Sequence, residues 1–167
     1  MNTLETLFYE IAKLFMTPVL LILAVMFAYA LWVIGGLLFD LLARRLGKAA
    51  PRPLHHYLRQ HPQSSQEELE LRLLRETEAL RITSRVAPML GLVATMIPMG
   101  PALIALSRGD SVSMAENLVV AFAAVIIALL AASMTYATLI VRRRWLLAEL
   151  SALLDSPLWL QRENPHG

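Results

Sequence analysis

Residues 86–107 read VAPMLGLVATMIPMGPALIALS, an uncharged run that contains Pro88, Gly91, Pro98, Gly100 and Pro101. The run exceeds the roughly 20 residues that cross the hydrocarbon core of a bilayer. Its prolines and glycines are dense even for a membrane helix. Each proline frees a carbonyl that must find a partner in a neighbouring helix, a hydroxyl or water. Such a segment belongs inside a bundle or beside a wet cavity.

Two further stretches, 14–39 and 117–141, also lack any charged residue. The 167-residue chain is 57% hydrophobic and 17% charged, with a mean hydropathy of +0.56. Soluble domains carry about 25% charge, and one domain of this size could not solvate such a composition. The expected fold is an all-α integral membrane protein with three transmembrane helices. Its segments are an amphipathic outward-facing N-terminal helix (1–16), a first span (17–39), a cytoplasmic loop and helix (40–85) and a second span (86–107). A short periplasmic loop (108–116), a third span (117–141) and a cytoplasmic C-terminal tail (142–167) complete the chain. No Cys is present, which excludes disulfides and thiolate metal sites.

The charges outside the spans give orientation. Of the 15 basic residues, only Lys13 and Arg108 lie before the first span or between the second and third. The rest fall in 40–85 or after 141, and basic residues near short loops are retained in the cytoplasm. The expected location is therefore the inner, cytoplasmic membrane, with the N-terminus periplasmic and the C-terminus cytoplasmic. The basic balance is a topology signal, so no nucleic-acid partner is expected. Glu5 and Glu10 against a single Lys13 have the wrong sign for a secretory leader.

Along the chain, Leu4, Leu7, Phe8, Ile11, Leu14 and Phe15 share one helical face. They form either a separate interfacial helix or an extension of the first span. Pro18 suits the first turn of that span. Residues 47–63, with Gly47, Pro51, Pro53 and Pro62, read as an irregular linker. His55, His56 and His61 fall in it without an acidic or Cys partner at ligand spacing, so no metal site is expected. Ser65 and Glu68 form a capping-box pattern for a helix with Leu69, Leu73, Leu80 and Glu76 on one side and Glu67, Glu70 and Arg75 on the other. That helix continues into the second span as one long element. Ser113 and Glu116 repeat the capping pattern before the third span. Asn117, Ala121, Ala124, Ala128, Ala131, Thr135 and Thr138 then form a small, weakly polar stripe that lets helices approach closely. Arg142, Arg143 and Arg144 anchor the cytoplasmic end, with specific binding of anionic lipid as the sharper alternative. Beyond them Trp145, Leu146, Leu150, Leu153 and Leu154 predict a helix that ends before Pro157.

The three spans hold no Asp, Glu, His, Lys or Arg. Membrane proton relays use such groups, so this chain alone offers no titrating site in the bilayer. A carboxylate would have to come from another subunit. The chain itself supplies hydroxyls (Thr95, Ser133, Thr135 and Thr138). For Thr95 the plain reading is a hydroxyl bonded back to its own helix.

The run from Arg85 to Pro101, with Pro88, Gly91, Leu92 and Thr95, resembles the second transmembrane motif of the MotA/TolQ/ExbB proton-channel family. That motif has the form Pro-x-x-Gly-Leu-x-Gly-Thr and follows a long cytoplasmic helix. Three spans rather than four favour the ExbB/TolQ-like branch, and the resemblance covers roughly 65 to 145. It implies a homo-pentamer whose second and third helices, extended into the cytoplasm, surround a central pore. It also implies a single-span ExbD/TolR-like partner that carries a membrane Asp, and a TonB-like protein beyond it. By position, Pro88 and Gly91 match the motif's kink and packing residues, with Pro98, Gly100 and Pro101 of the same kind. Thr95 matches its pore-lining hydroxyl, and Ala121, Ala124, Ala128, Thr135 and Thr138 are the companion pore-lining candidates. The same alanine stripe suits tight helix packing, and the two roles can coexist in an oligomer. Two departures stand out. Ala94 replaces the motif's second Gly, and the third span lacks the family's Thr pair, its candidate positions being Val120, Ala121, Ala124 and Val125.

The expected function is a channel-forming subunit of a proton-driven motor that energises transport or work at the outer membrane. No cofactor is expected, and the expected transported ion is H+, with Na+ the alternative. A non-conducting scaffold of the same architecture, or a membrane subunit of a small-molecule transporter, is the alternative. An enzyme is not expected, because no nucleophile–base or metal constellation is visible.

Overall fold

A computed structural model describes residues 3–46, 57 and 66–155. They form three long helices: α1 (Thr3–Arg45), α2 (Gln66–Ser107) and α3 (Ser111–Leu154). All three are long and apolar enough to cross a membrane. A helix satisfies every backbone polar group within itself, which is what a charge-free apolar run needs in lipid. His55, His56, His61, Ser65 and Pro157 lie outside the described residues.

α1 is continuous from Thr3, so the N-terminal apolar face is an extension of the first span and not a separate helix. Pro18 is accordingly interior to α1 and not in its first turn. α2 likewise runs unbroken through Pro88, Pro98 and Pro101. α3 starts at Ser111, before the expected span, and continues past the three arginines to Leu154.

Contacts divide the chain into two units, one of residues 1–34 and 82–135 and the other of 35–81 and 136–167. In the first, small residues set the packing. Val19 and Leu23 of α1 meet Ala94 of α2 and Ala124 and Ala128 of α3. One layer further on, Ala30, Ala87, Ala131 and Ala132 form a second cluster, flanked by Met26, Phe27 and Met134. Helices in lipid gain little from hiding apolar surface, so close backbone approach between small side chains supplies the attraction.

In the second unit the packing residues are large. Leu69 and Leu73 of α2 bury against Leu146, Leu150 and Leu153 of α3, with Tyr57 and Leu154 at the margin. The Arg72 guanidinium lies 5.5 Å from the Tyr57 ring centroid. Leucines at helical spacing give this pair a continuous seam of large apolar side chains. Thr77, not Glu76, stands on the buried side beside Leu73 and Leu80. Glu76 instead faces outward and pairs with Arg72 one turn away at 2.9 Å.

The α2–α3 connection is three residues long. Asp110 N–H donates to the Ala105 carbonyl at 3.0 Å and Gly109 N–H to that of Leu106 at 3.0 Å. This is a Schellman ending, with Gly109 in the left-handed region at φ 74. Asp110 at once caps α3: its carbonyl accepts from Met114 N–H, and its carboxylate accepts from Ser113 N–H at 3.0 Å and the Ser113 hydroxyl at 2.6 Å. Asp110, not Ser113, is therefore the N-cap, and Ser113 is the residue it caps. The Ser113 hydroxyl, then its amide, hold the exposed Asp110 carboxyl below its usual value. The expected loop of 108–116 shortens to this link.

Candidate functional site

The chemistry the spans can offer lies on α2 and α3 within the first unit. Gly91 marks a close approach between them: a Cβ placed on it would lie 2.6 Å from the Ala128 Cβ. The backbones therefore meet where α2 has no side chain. Pro88, half-buried, stands one turn before Gly91 on α2, and Gly91 is the motif position packed on α3. Ala87, Ala94 and Pro98 continue the same buried side of α2. Gly100 and Pro101 are half-buried beyond it.

Thr95 lies next to this seam but is not enclosed by it. Its hydroxyl is half-exposed and donates to the Leu92 carbonyl at 2.7 Å. A hydroxyl bonded in this way retains lone pairs that can accept from water or another group. Ser133 is also exposed and donates to the Leu129 carbonyl at 2.7 Å. These two hydroxyls stand on faces that the chain leaves open.

The remaining pore-lining candidates are placed differently. Ala121, Ala124, Ala128, Thr135 and Thr138 are 4% exposed or less in the single chain. Thr135 donates to the Ala131 carbonyl at 2.7 Å and the Ala132 carbonyl at 3.1 Å. The stripe read from the sequence is thus the surface on which the chain packs on itself. Asn117 at its top is half-buried and donates to the Ser113 carbonyl at 2.8 Å.

Outward, α2 presents Leu92, Met96, Met99 and Leu103, and α3 presents Phe122, Ile126 and Leu130. No more than 28% of the apolar window of any helix is buried within the chain. Apart from hydroxyls such as Thr95 and Ser133, the uncovered surface of these helices is largely apolar, which suits lipid or neighbouring subunits. Among the described residues no group of three or more His, Cys, Asp or Glu could hold a metal ion.

Arg142, Arg143 and Arg144 lie in the second unit. Arg142 is half-buried with Nη2 3.7 Å from where a Gly36 Cβ would be, whereas Arg143 and Arg144 are exposed. Sequence reasoning treats these three arginines alike, as an anchor or, in the sharper alternative, as a site for anionic lipid. It misses that Arg142 alone turns toward α1, although its three-residue separation from the α1-facing Trp145 is a signal that they share a face.

The model of the MotA/TolQ/ExbB proton channel family matches residues 38–151 of the chain. No curated protein and no solved structure matches it significantly.

Proposed function

Because the chain belongs to the MotA/TolQ/ExbB proton channel family, we propose that it is the ExbB/TolQ-like channel-forming subunit of an inner-membrane motor driven by the proton gradient. The observation that carries this reading is the pairing of two facts. The spans contain no Asp, Glu, His, Lys or Arg, and Thr95 holds a half-exposed hydroxyl on the motif helix. A proton path here needs a carboxylate from outside, and an ExbD/TolR-like single-span partner with a membrane Asp would provide it.

In this assembly several copies of the chain, a pentamer by the family's pattern, surround the partner. Thr95 faces the central space and orders water or the partner's carboxylate there. Ala121, Ala124, Ala128, Thr135 and Thr138 stand behind the wall and hold α2 against α3, since the chain already covers them. The N-terminus is periplasmic and the C-terminus cytoplasmic. The moving helices deliver work toward the outer membrane through the partner, with a TonB-like protein as the next link. The chain performs no covalent chemistry on this reading and needs no bound cofactor.

One observation favours the scaffold alternative. Where the family carries a Thr pair on the third span, the positions here are Val120, Ala121, Ala124 and Val125. A second ring of hydroxyls is absent, so the same assembly could transmit force without conducting. Proton uptake into liposomes that contain both subunits decides between them. Uptake that Thr95→Val abolishes supports the channel; an assembled complex with no uptake supports the scaffold. A chain that stays monomeric and binds no Asp-bearing partner overturns both.

A further inference from the structure

α1 and α3 each leave their charge-free stretch at a charged residue, Asp40 after 14–39 and Arg142 after 117–141. These residues lie in one compact unit with the end of α1. Side chains on a helix tilt toward its N-terminus. Arg142 accordingly reaches back toward the apolar stretch, where Nη2 lies 3.7 Å from the Cβ position of Gly36. One turn further along α3, the Trp145 ring takes the Arg44 guanidinium at 3.9 Å from its centroid. Arg44 thus stacks on the indole, while Arg142, three residues before Trp145 on α3, reaches toward Gly36 of α1.

Neither guanidinium has a carboxylate within ion-pair distance among the described residues, and Asp40 has no such partner either. A half-buried guanidinium at an apolar margin is costly unless an anion meets it. Its planar fork matches the oxygens of a phosphate, and an indole beside it suits the headgroup level of a bilayer. We propose that Arg142 and Arg44, with Trp145 stacked on the latter, form a binding site for the phosphate of an anionic phospholipid. The site rests on the membrane reading of the three helices and is independent of proton conduction. Arg143 and Arg144 are exposed and lie outside the site.

The test uses the full chain with Trp32→Phe and Trp159→Phe, so that Trp145 is the one fluorophore. It is reconstituted in vesicles of brominated phosphatidylcholine or brominated phosphatidylglycerol, and quenching gives the relative affinity for the two lipids at that indole. The expected preference for phosphatidylglycerol is about fivefold for each guanidinium that faces the phosphate. Arg142→Gln and Arg44→Gln each reduce it, while Arg143→Gln leaves it unchanged. If Arg143→Gln reduces it equally, the effect is bulk surface charge and the site is overturned. Equal quenching by both lipids in the parent chain overturns it as well. Inorganic phosphate added to the buffer leaves the preference intact; if it abolishes the preference, the occupant is free phosphate and not lipid. Should Arg142→Gln fail to insert, as judged by helical circular dichroism, Arg142→Lys retains the charge and loses the fork. It then shows a reduced preference, and an unchanged one removes Arg142 from the site.

Discussion

Gly91 and Ala128 hold α2 and α3 at a separation that only a missing side chain permits, since a Cβ at residue 91 would stand 2.6 Å from that of Ala128. The obstacle is a Cβ fixed to its own backbone, not the movable end of a long side chain. The Val125 Cα lies 3.7 Å away on the same side and limits sideways escape. Tightness here fixes the depth at which Thr95, one turn along α2, stands relative to α3.

Gly91→Ala therefore forces the helices apart and loses neighbouring contacts, at a cost of about 1–3 kcal/mol. Ala128→Gly in the same chain removes the obstructing carbon. The double variant recovers most of the loss, less the ~0.5–1 kcal/mol that glycine costs inside a helix. Denaturant unfolding in detergent of the two single variants and the double variant measures the coupling. Strictly additive losses would show that the contact does not set the spacing.

Thr95 and Thr135 separate function from packing. Thr95→Val keeps the shape of a half-exposed side chain and removes a hydroxyl whose one bond is local. Stability should change by less than about 0.5 kcal/mol, while proton uptake with the partner falls. Thr135→Val removes a buried hydroxyl that donates to two carbonyls. Those carbonyls keep their helical bonds, so the loss is about 0.5–1.5 kcal/mol with uptake retained. Uptake that depends on Thr135 and not on Thr95 would put the conducting path inside the chain.

Much of this arrangement was legible from residue spacing. The stripe from Ala121 to Thr138 is the buried side of α3 because lipid leaves small residues as the only way for backbones to come close. Length and absence of charge were enough for the three helices. The errors lay where local chemistry competes. Ser113 resembled an N-cap, but Asp110 precedes it, caps more strongly and sits where Gly109 ends α2. Glu76 shares a side with Leu73 and Leu80 by spacing, yet Thr77 can hide its hydroxyl on the Leu73 carbonyl at 3.1 Å, and a glutamate cannot be buried so cheaply. Pore lining was not legible, because it depends on neighbours of another chain. In one chain alanine stripes of either kind read alike.

The leucine cluster of the second unit makes a different demand. Leu150 is buried against Leu69 and Leu73 of α2, whereas Leu147 on the same helix is exposed. Leu150→Ala should cost about 2–5 kcal/mol through lost transfer energy and the cavity left behind. Leu147→Ala should cost almost nothing. Hydrogen exchange of the α2 segment 67–80 reads this directly, since Leu150→Ala frees those amides and Leu147→Ala does not. Equal protection in both variants would mean that α2 is stable there without α3.

Asp110 gives the α2–α3 link a dependence on pH whose sign is fixed by its bonds. The Ser113 hydroxyl and amide stabilise the charged carboxylate and lower its pKa in the folded chain. A group with a lowered folded pKa stabilises fully above its unfolded value, about 3.9 for Asp. It loses that contribution as pH falls through the folded value. Below this window the cap opens, and Ser113 N–H exchanges faster relative to amides in the middle of α3. Asp110→Ala shows the fast exchange at every pH. Asp110→Asn keeps a side-chain oxygen for the amide and shows neither the fast exchange nor the acid step. An acid step that persists in Asp110→Asn would show that the Asp110 carboxylate is not its source.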